Sequence, residues 1–108
     1  MAEFTINEMQ EMQKIMHDKY KNKWDSTCAQ TGVKHLLWMI GEIGEVIDII
    51  KKNPSDKLCE ENDIRKHLVE EMVDVLMYYN DVMLCYGITA DELKQSYVDK
   101  FEKNMKRW

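Results

Sequence analysis

The sequence predicts an all-α fold: four helices in a bundle-like arrangement that dimerises through its two central members. Three observations carry this expectation. Capping boxes, a lone glycine and an Asn-Pro pair cut the chain into four segments with helical periodicity. Strand-type alternation, internal repeats and low-complexity tracts are absent. One proline, four glycines and nine methionines in 108 residues, with abundant Glu, Lys and aliphatic side chains, give the composition of a helical globule.

The first helix opens at Thr5–Glu8, a capping box in which a threonine hydroxyl and a glutamate satisfy each other's backbone amides, and runs to about Lys21. Residues 22–32 (NKWDSTCAQTG) concentrate Asn, Asp, Ser, Thr and Gly and read as a loop. A long helix follows over Val33–Lys52. It stops at Asn53-Pro54, because asparagine tolerates a left-handed cap and proline disfavours helix in the residue before it. Residues 53–62 read as a polar connection. The third helix covers Asp63–Tyr86 and ends at Gly87, and a second capping box at Thr89–Glu92 opens a last helix to Arg107.

Both central helices are apolar around most of their circumference. Leu36, Ile40, Ile43 and Ile47 form the expected core stripe of one, and Val69, Met72, Leu76 and Met83 that of the other. A helix apolar nearly all round is buried on more than one side. In a 108-residue chain the second side is expected to pack on another subunit.

Two pairs of acids interrupt these helices: Glu42 and Glu45, then Glu71 and Asp74. Each pair has i,i+3 spacing and so shares a helix face. Glu42 lies in a stripe with His35, Trp38, Val46 and Ile49, and Glu71 in one with Ile64, His67, Val75, Tyr78 and Val82. Carboxylates among apolar neighbours are costly unless paired with a cation or a metal, and neither stripe carries enough Lys or Arg to neutralise four of them. With the two helices antiparallel, the pairs face each other and offer hard oxygen donors suited to Mg²⁺ or Mn²⁺. Such ions would offset phosphate charge, polarise a phosphoryl oxygen and activate a water for attack on a phosphoanhydride. One acid would serve as general base, and the spacing does not select which. Asp48 reads as a surface residue, Asp81 as a possible extension of the acidic cleft, and His35 and His67 as structural side chains. Trp24 and Trp38 are candidates to stack on a base. Lys100, Asn104 and Arg107 share one face of the last helix and could hold phosphate oxygens.

"GEIGEVIDIIKK" and "EEMVDVLMYY" resemble the MazG-type, all-α nucleoside triphosphate pyrophosphohydrolases, whose signature is ExxE, a spacer, then ExxD. Here it reads Glu42-x-x-Glu45, then Glu71-x-x-Asp74. The ending YGITADELKQSYVDKFEKNMKRW resembles that family's K-x3-N-x2-R tail, matching Lys100, Asn104 and Arg107. The resemblance covers roughly residues 20–108 and implies one MazG-like domain over 1–108. It further implies Mg²⁺ on the four acids, cleavage of a (d)NTP between the α and β phosphates, and a homodimer or homotetramer. A dUTPase-like enzyme with narrow base choice belongs to the same fold.

The net charge of −5 argues against broad nucleic-acid binding, and no apolar run approaches a membrane span. The first ten residues lack a basic and an apolar signal region, and Cys28, Cys59 and Cys85 form no CxxC. Both features predict a cytoplasmic protein with reduced thiols. A di-iron bundle would need Glu-x-x-His, which is missing. The alternative reading is a non-catalytic helical dimerisation or metal-binding module.

Overall fold

The computed structural model describes residues 3–107; Met1, Ala2 and Trp108, the ends of the expected 1–108 domain, lie outside the described residues. The helices are α1 (Ile6–Lys19), α2 (Gly32–Lys52), α3 (Ser55–Cys59), α4 (Asp63–Cys85) and α5 (Ala90–Arg107), with a 3-10 turn at Ala29–Thr31 before α2. No strand occurs among the described residues. The all-α expectation stands, with one more helix than the punctuation foretold.

Local chemistry accounts for most of the boundaries. Thr5 caps α1 through a complete capping box, its hydroxyl accepting from the Glu8 amide at 3.1 Å. Asn62 caps α4, accepting from the Arg65 amide at 3.0 Å. Gly87, with φ of 64°, ends α4 by donating to Leu84 O while Ile88 donates to Met83 O, the paired bonds of a Schellman cap. Thr89 caps α5 as predicted, accepting from the Glu92 amide at 3.1 Å.

Three boundary expectations need correction. Asn53 is extended, with φ of −126° and ψ of 145°, not left-handed. Its side-chain Nδ2 instead donates to Ile49 O at 2.8 Å, so proline and a side-chain cap together end α2. The 53–62 connection is no plain loop, because Ser55–Cys59 makes a short helix whose Leu58 is buried and packs on α4. The first helix ends at Lys19, followed by a turn in which Lys23 and Trp24 donate back to Tyr20 O.

The heart of the molecule is the α2–α4 pair, with α1 and α3 also laid on α4 and α5 packed on α1. Side-chain contacts run 35 to 81, 38 to 78 and 42 to 74, falling along α4 as they rise along α2, so the two helices are antiparallel. The packed face is not the expected one. Leu36, Ile40, Ile43 and Ile47 are exposed, Ile40 at 55%, as are Val69, Met72 and Leu76, Met72 at 55%. The stripe that meets α4 is the one carrying His35, Glu42 and Ile49; of the predicted core stripes only Met83 is buried. Wheel position ranks the faces by hydrophobicity, yet the chain turns its polar-studded faces inward.

The same inversion shapes α1. Gln10 and Gln13 are buried while Met12 and Ile15 are exposed. Gln10 Nε2 donates to Ile88 O at 3.1 Å, pinning α1 to the turn between α4 and α5. At the start of α2, Gly32 lies under the Tyr86 ring, where a Cβ would collide with the phenol. No helix among the described residues is long and apolar enough to cross a membrane.

Candidate active site

Antiparallel pairing of α2 and α4 brings acids from both signature segments together. One carboxylate oxygen each from Glu42, Glu71 and Asp74 lie within 4.8 Å of one another. All three side chains are half-buried, at the open edge of the helix pair. Glu45, one turn along α2, is exposed and stands outside this group, though its charge acts on Glu42. Partial burial lifts the Glu42 pKa above its ordinary value, and the charges of Asp74 and Glu71 add to the effect. Burial followed by the Glu71 and Glu70 charges lifts Asp74 in the same direction. A basic side chain facing the group is His67, whose Nε2 lies 3.3 Å from Glu71 Oε1. The neighbouring carboxylates raise the pKa of Glu42 and of Asp74, so mutual repulsion is left in place. Three hard oxygen donors that repel one another fit a divalent cation.

Beside the acids lies a cavity of about 490 Å³ to which Asp74 also contributes. Trp24, Trp38 and Tyr78 line it, and the exposed faces of the two tryptophans suit stacking. Trp24 stacks on Tyr20 at 4.7 Å and meets the His17 ring edge-on at 5.2 Å. Trp38 meets His35 edge-on at 5.2 Å and lies 6.2 Å from Tyr78. Trp38 is therefore a cavity side chain, as a candidate for base stacking must be. Burial and the charges of Glu42, Asp81 and Asp74 raise the Tyr78 pKa, which keeps its hydroxyl a donor.

Further along α4, the cavity is bounded by a polar cluster that the sequence reading missed. Asp81 is 5% exposed and does not extend the acidic cleft. Its Oδ1 accepts from Gln13 Nε2 at 2.7 Å and from His17 Nε2 at 2.9 Å. Its Oδ2 lies 3.6 Å from His35 Nδ1. The signal was available: Gln10, Gln13 and His17 recur at i, i+3 and i+7 along α1, the spacing of one buried face. Lys100, Asn104 and Arg107 sit on α5 and line neither this cavity nor the shallower depression beside it. Asp48 is exposed, as expected.

Residues 30–107 match the family model of the MazG nucleotide pyrophosphohydrolase domain. The chain belongs to the MazG nucleotide pyrophosphohydrolase family. No curated protein and no solved structure matches it. The matched MazG region contains both acid pairs, Trp38, His35 and the α5 tail. It leaves out Gln13, His17 and Trp24, so part of the cavity is built by a segment that the family model does not cover.

Proposed function

We propose that the chain is a Mg²⁺-dependent nucleotide pyrophosphohydrolase that cleaves (d)NTPs between the α and β phosphates, giving a nucleoside monophosphate and pyrophosphate, with Mn²⁺ as a substitute ion. The observation that carries this reading is that Asp74 belongs to both the acidic group and the aromatic cavity. A bound nucleotide would thus set its phosphates at the acids and its base between aromatic walls.

Glu42, Glu71 and Asp74 would hold the metal, with Glu45 at the rim. A divalent ion there supplies charge compensation for the phosphates and lowers the pKa of an attacking water. The protein's own part is to position these acids on two rigid helices, to take the water's proton on one carboxylate, and to hold the base. Trp24 and Trp38 would stack on the base, and Tyr78 would donate a hydrogen bond near the phosphates or sugar. His67 restrains the Glu71 carboxylate.

Lys100 and Asn104, with Arg107, would contact substrate phosphates or ribose from a second copy, since α5 packs on α1 within its own chain. The uncovered stripes of α2 and α4 supply a surface for that copy: Leu36, Ile40 and Ile47 on one helix, Val69, Met72 and Leu76 on the other. Apolar faces of this length on adjacent helices mark an interface. A homodimer, or a tetramer built from two, follows from this reading.

A pyrophosphate-release assay over the common NTPs and dNTPs with Mg²⁺ tests it, with EDTA and Glu71→Gln as controls. Monophosphate plus pyrophosphate, lost in both controls, is the expected result. Folded protein that releases no pyrophosphate from any nucleotide would instead be a non-catalytic metal-binding module.

A further inference from the structure

The cavity holds a polar feature that neither metal binding nor stacking uses. Asp81 carries two oxygens, and among the described residues only one of them accepts a hydrogen bond. Gln13 and His17 both donate to Oδ1. The neighbour of Oδ2 among the described residues is His35 Nδ1, at 3.6 Å. At that distance the two atoms share no hydrogen bond, and Nδ1 is buried without a hydrogen-bond partner in a side chain only 2% exposed. Asp81 Oδ2 thus accepts no hydrogen bond from its neighbour, where burial makes an unmet acceptor expensive. A donor from outside the chain is what this end of the cavity lacks.

The distance along α4 places that need at the base. Asp81 follows Asp74 by seven residues, about 10 Å of helix rise, on the same face. If the phosphates lie at Asp74, as the reading above has it, the base edge reaches Asp81. The bases divide on what they present there. Cytosine carries an exocyclic amino donor where uracil and thymine carry a carbonyl acceptor. A carboxylate accepts from the amine and repels the carbonyl.

We propose that Asp81 is the specificity-determining residue of this cavity and that it selects nucleotides whose base carries an exocyclic amino group over those with a keto group at that position. This inference rests on the pyrophosphohydrolase reading, and Gln13 and His17 act through Asp81 by fixing its orientation.

Cytidine and uridine nucleotides differ at this one group and make the matched pair for the test. The wild-type protein with Mg²⁺ should show kcat/KM for dCTP at least about tenfold above that for dUTP, the size of one well-made base-edge contact. Asp81→Asn keeps the Oδ1 acceptor but turns Oδ2 into an amide donor, and should move the ratio to one or below, mainly through KM. Should Asp81→Asn fail to fold, calorimetric binding of CMP and UMP to the wild-type protein, with Ca²⁺ in place of Mg²⁺, gives the same comparison without a variant. Tighter binding of CMP supports the proposal. Pyrophosphate release from both nucleotides at equal efficiency, or a preference for dUTP, overturns the role of Asp81 and leaves the pyrophosphohydrolase intact. Absence of both hydrolysis and binding for every nucleotide removes the underlying reading and this inference with it.

Discussion

Asp74 and Asp81 lie two helical turns apart on one face of α4, bordering one cavity, yet they occupy opposite environments. Asp74 sits among other acids, with its pKa raised by burial and by the charges of Glu71 and Glu70. Asp81 is nearly enclosed, and three polar side chains from α1 and α2 converge on it. The first carboxylate is left charged and unmatched; the second is held in place by the fold. Sequence position does not distinguish them, since both are aspartates on an α4 face rich in apolar residues. What separates them is α1, which reaches Asp81 and not Asp74. A carboxylate that the fold holds by one oxygen is fixed in place, whereas one surrounded by its own kind suits a cation.

Four experiments sharpen or break this contrast. The largest effect is on turnover. Asp74→Asn or Glu71→Gln should lower kcat for pyrophosphate release by about a hundredfold or more, the scale set by loss of an acid–base or ligand group. Asp81→Asn should retain turnover on at least one nucleotide. Equal loss from all three variants would erase the distinction.

Stability should respond in the opposite sense. Removing the acceptor with Asp81→Ala leaves Gln13 and His17 without their partner and should cost about 1–3 kcal/mol in urea unfolding. Without metal, Asp74→Asn should leave the melting temperature unchanged or raise it, because it removes a like charge. A lower melting temperature for Asp74→Asn would show that its carboxylate has a structural partner after all.

Metal should stabilise the folded chain through the acidic group alone. At a hundred times its dissociation constant Mg²⁺ adds about 2.7 kcal/mol to a protein that binds it only when folded. Thermal melts should therefore rise with Mg²⁺ for the wild-type protein and for Asp81→Ala, but hardly for Glu42→Gln. A shift that survives Glu42→Gln places the ion elsewhere.

The smallest effect is on pH dependence. Glu42 and Asp74 have folded-state pKa values above their ordinary 4.5 and 3.8. A raised carboxylate stabilises the fold while protonated, and that contribution is lost as pH climbs through the folded-state pKa. Metal-free wild-type protein should thus lose stability from about pH 4 upward relative to the Glu42→Gln, Asp74→Asn double variant. Saturating Mg²⁺ should flatten the difference; a difference of the opposite slope would contradict the repulsion.

Much of this was legible in the sequence because the signals were local. Thr5, Asn62, Gly87 and Thr89 act within one turn of themselves, so the helix ends they set could be read from spacing. The two acid pairs were equally visible, since i,i+3 spacing fixes a shared face. The orientation of the helices was not. Leu36 and Ile40 outrank Glu42 in hydrophobicity, and the wheel alone turns them inward; the chain packs the Glu42 face, where His35 meets Asp81 of α4 and Ile49 is buried. The spacing of Gln10, Gln13 and His17 marks a shared face of α1, but their partner Asp81 lies 64 and 68 residues from His17 and Gln13, beyond what a pattern within one helix reports.

The packing of α5 has a consequence for how the molecule opens. Its anchorage is on α1, while α4 is braced by α1, α2 and α3. Its 18 residues only modestly exceed the length at which an isolated helix becomes marginal in water. Amides of α5 in a separated chain should therefore exchange with solvent orders of magnitude faster than those of α4, whose opening requires the whole fold. Tyr97, Phe101 and Met105 are exposed along it and gain order only when something covers them. If copies of the chain pair as proposed, protection of the α5 amides should grow with protein concentration and can be followed residue by residue without any substrate.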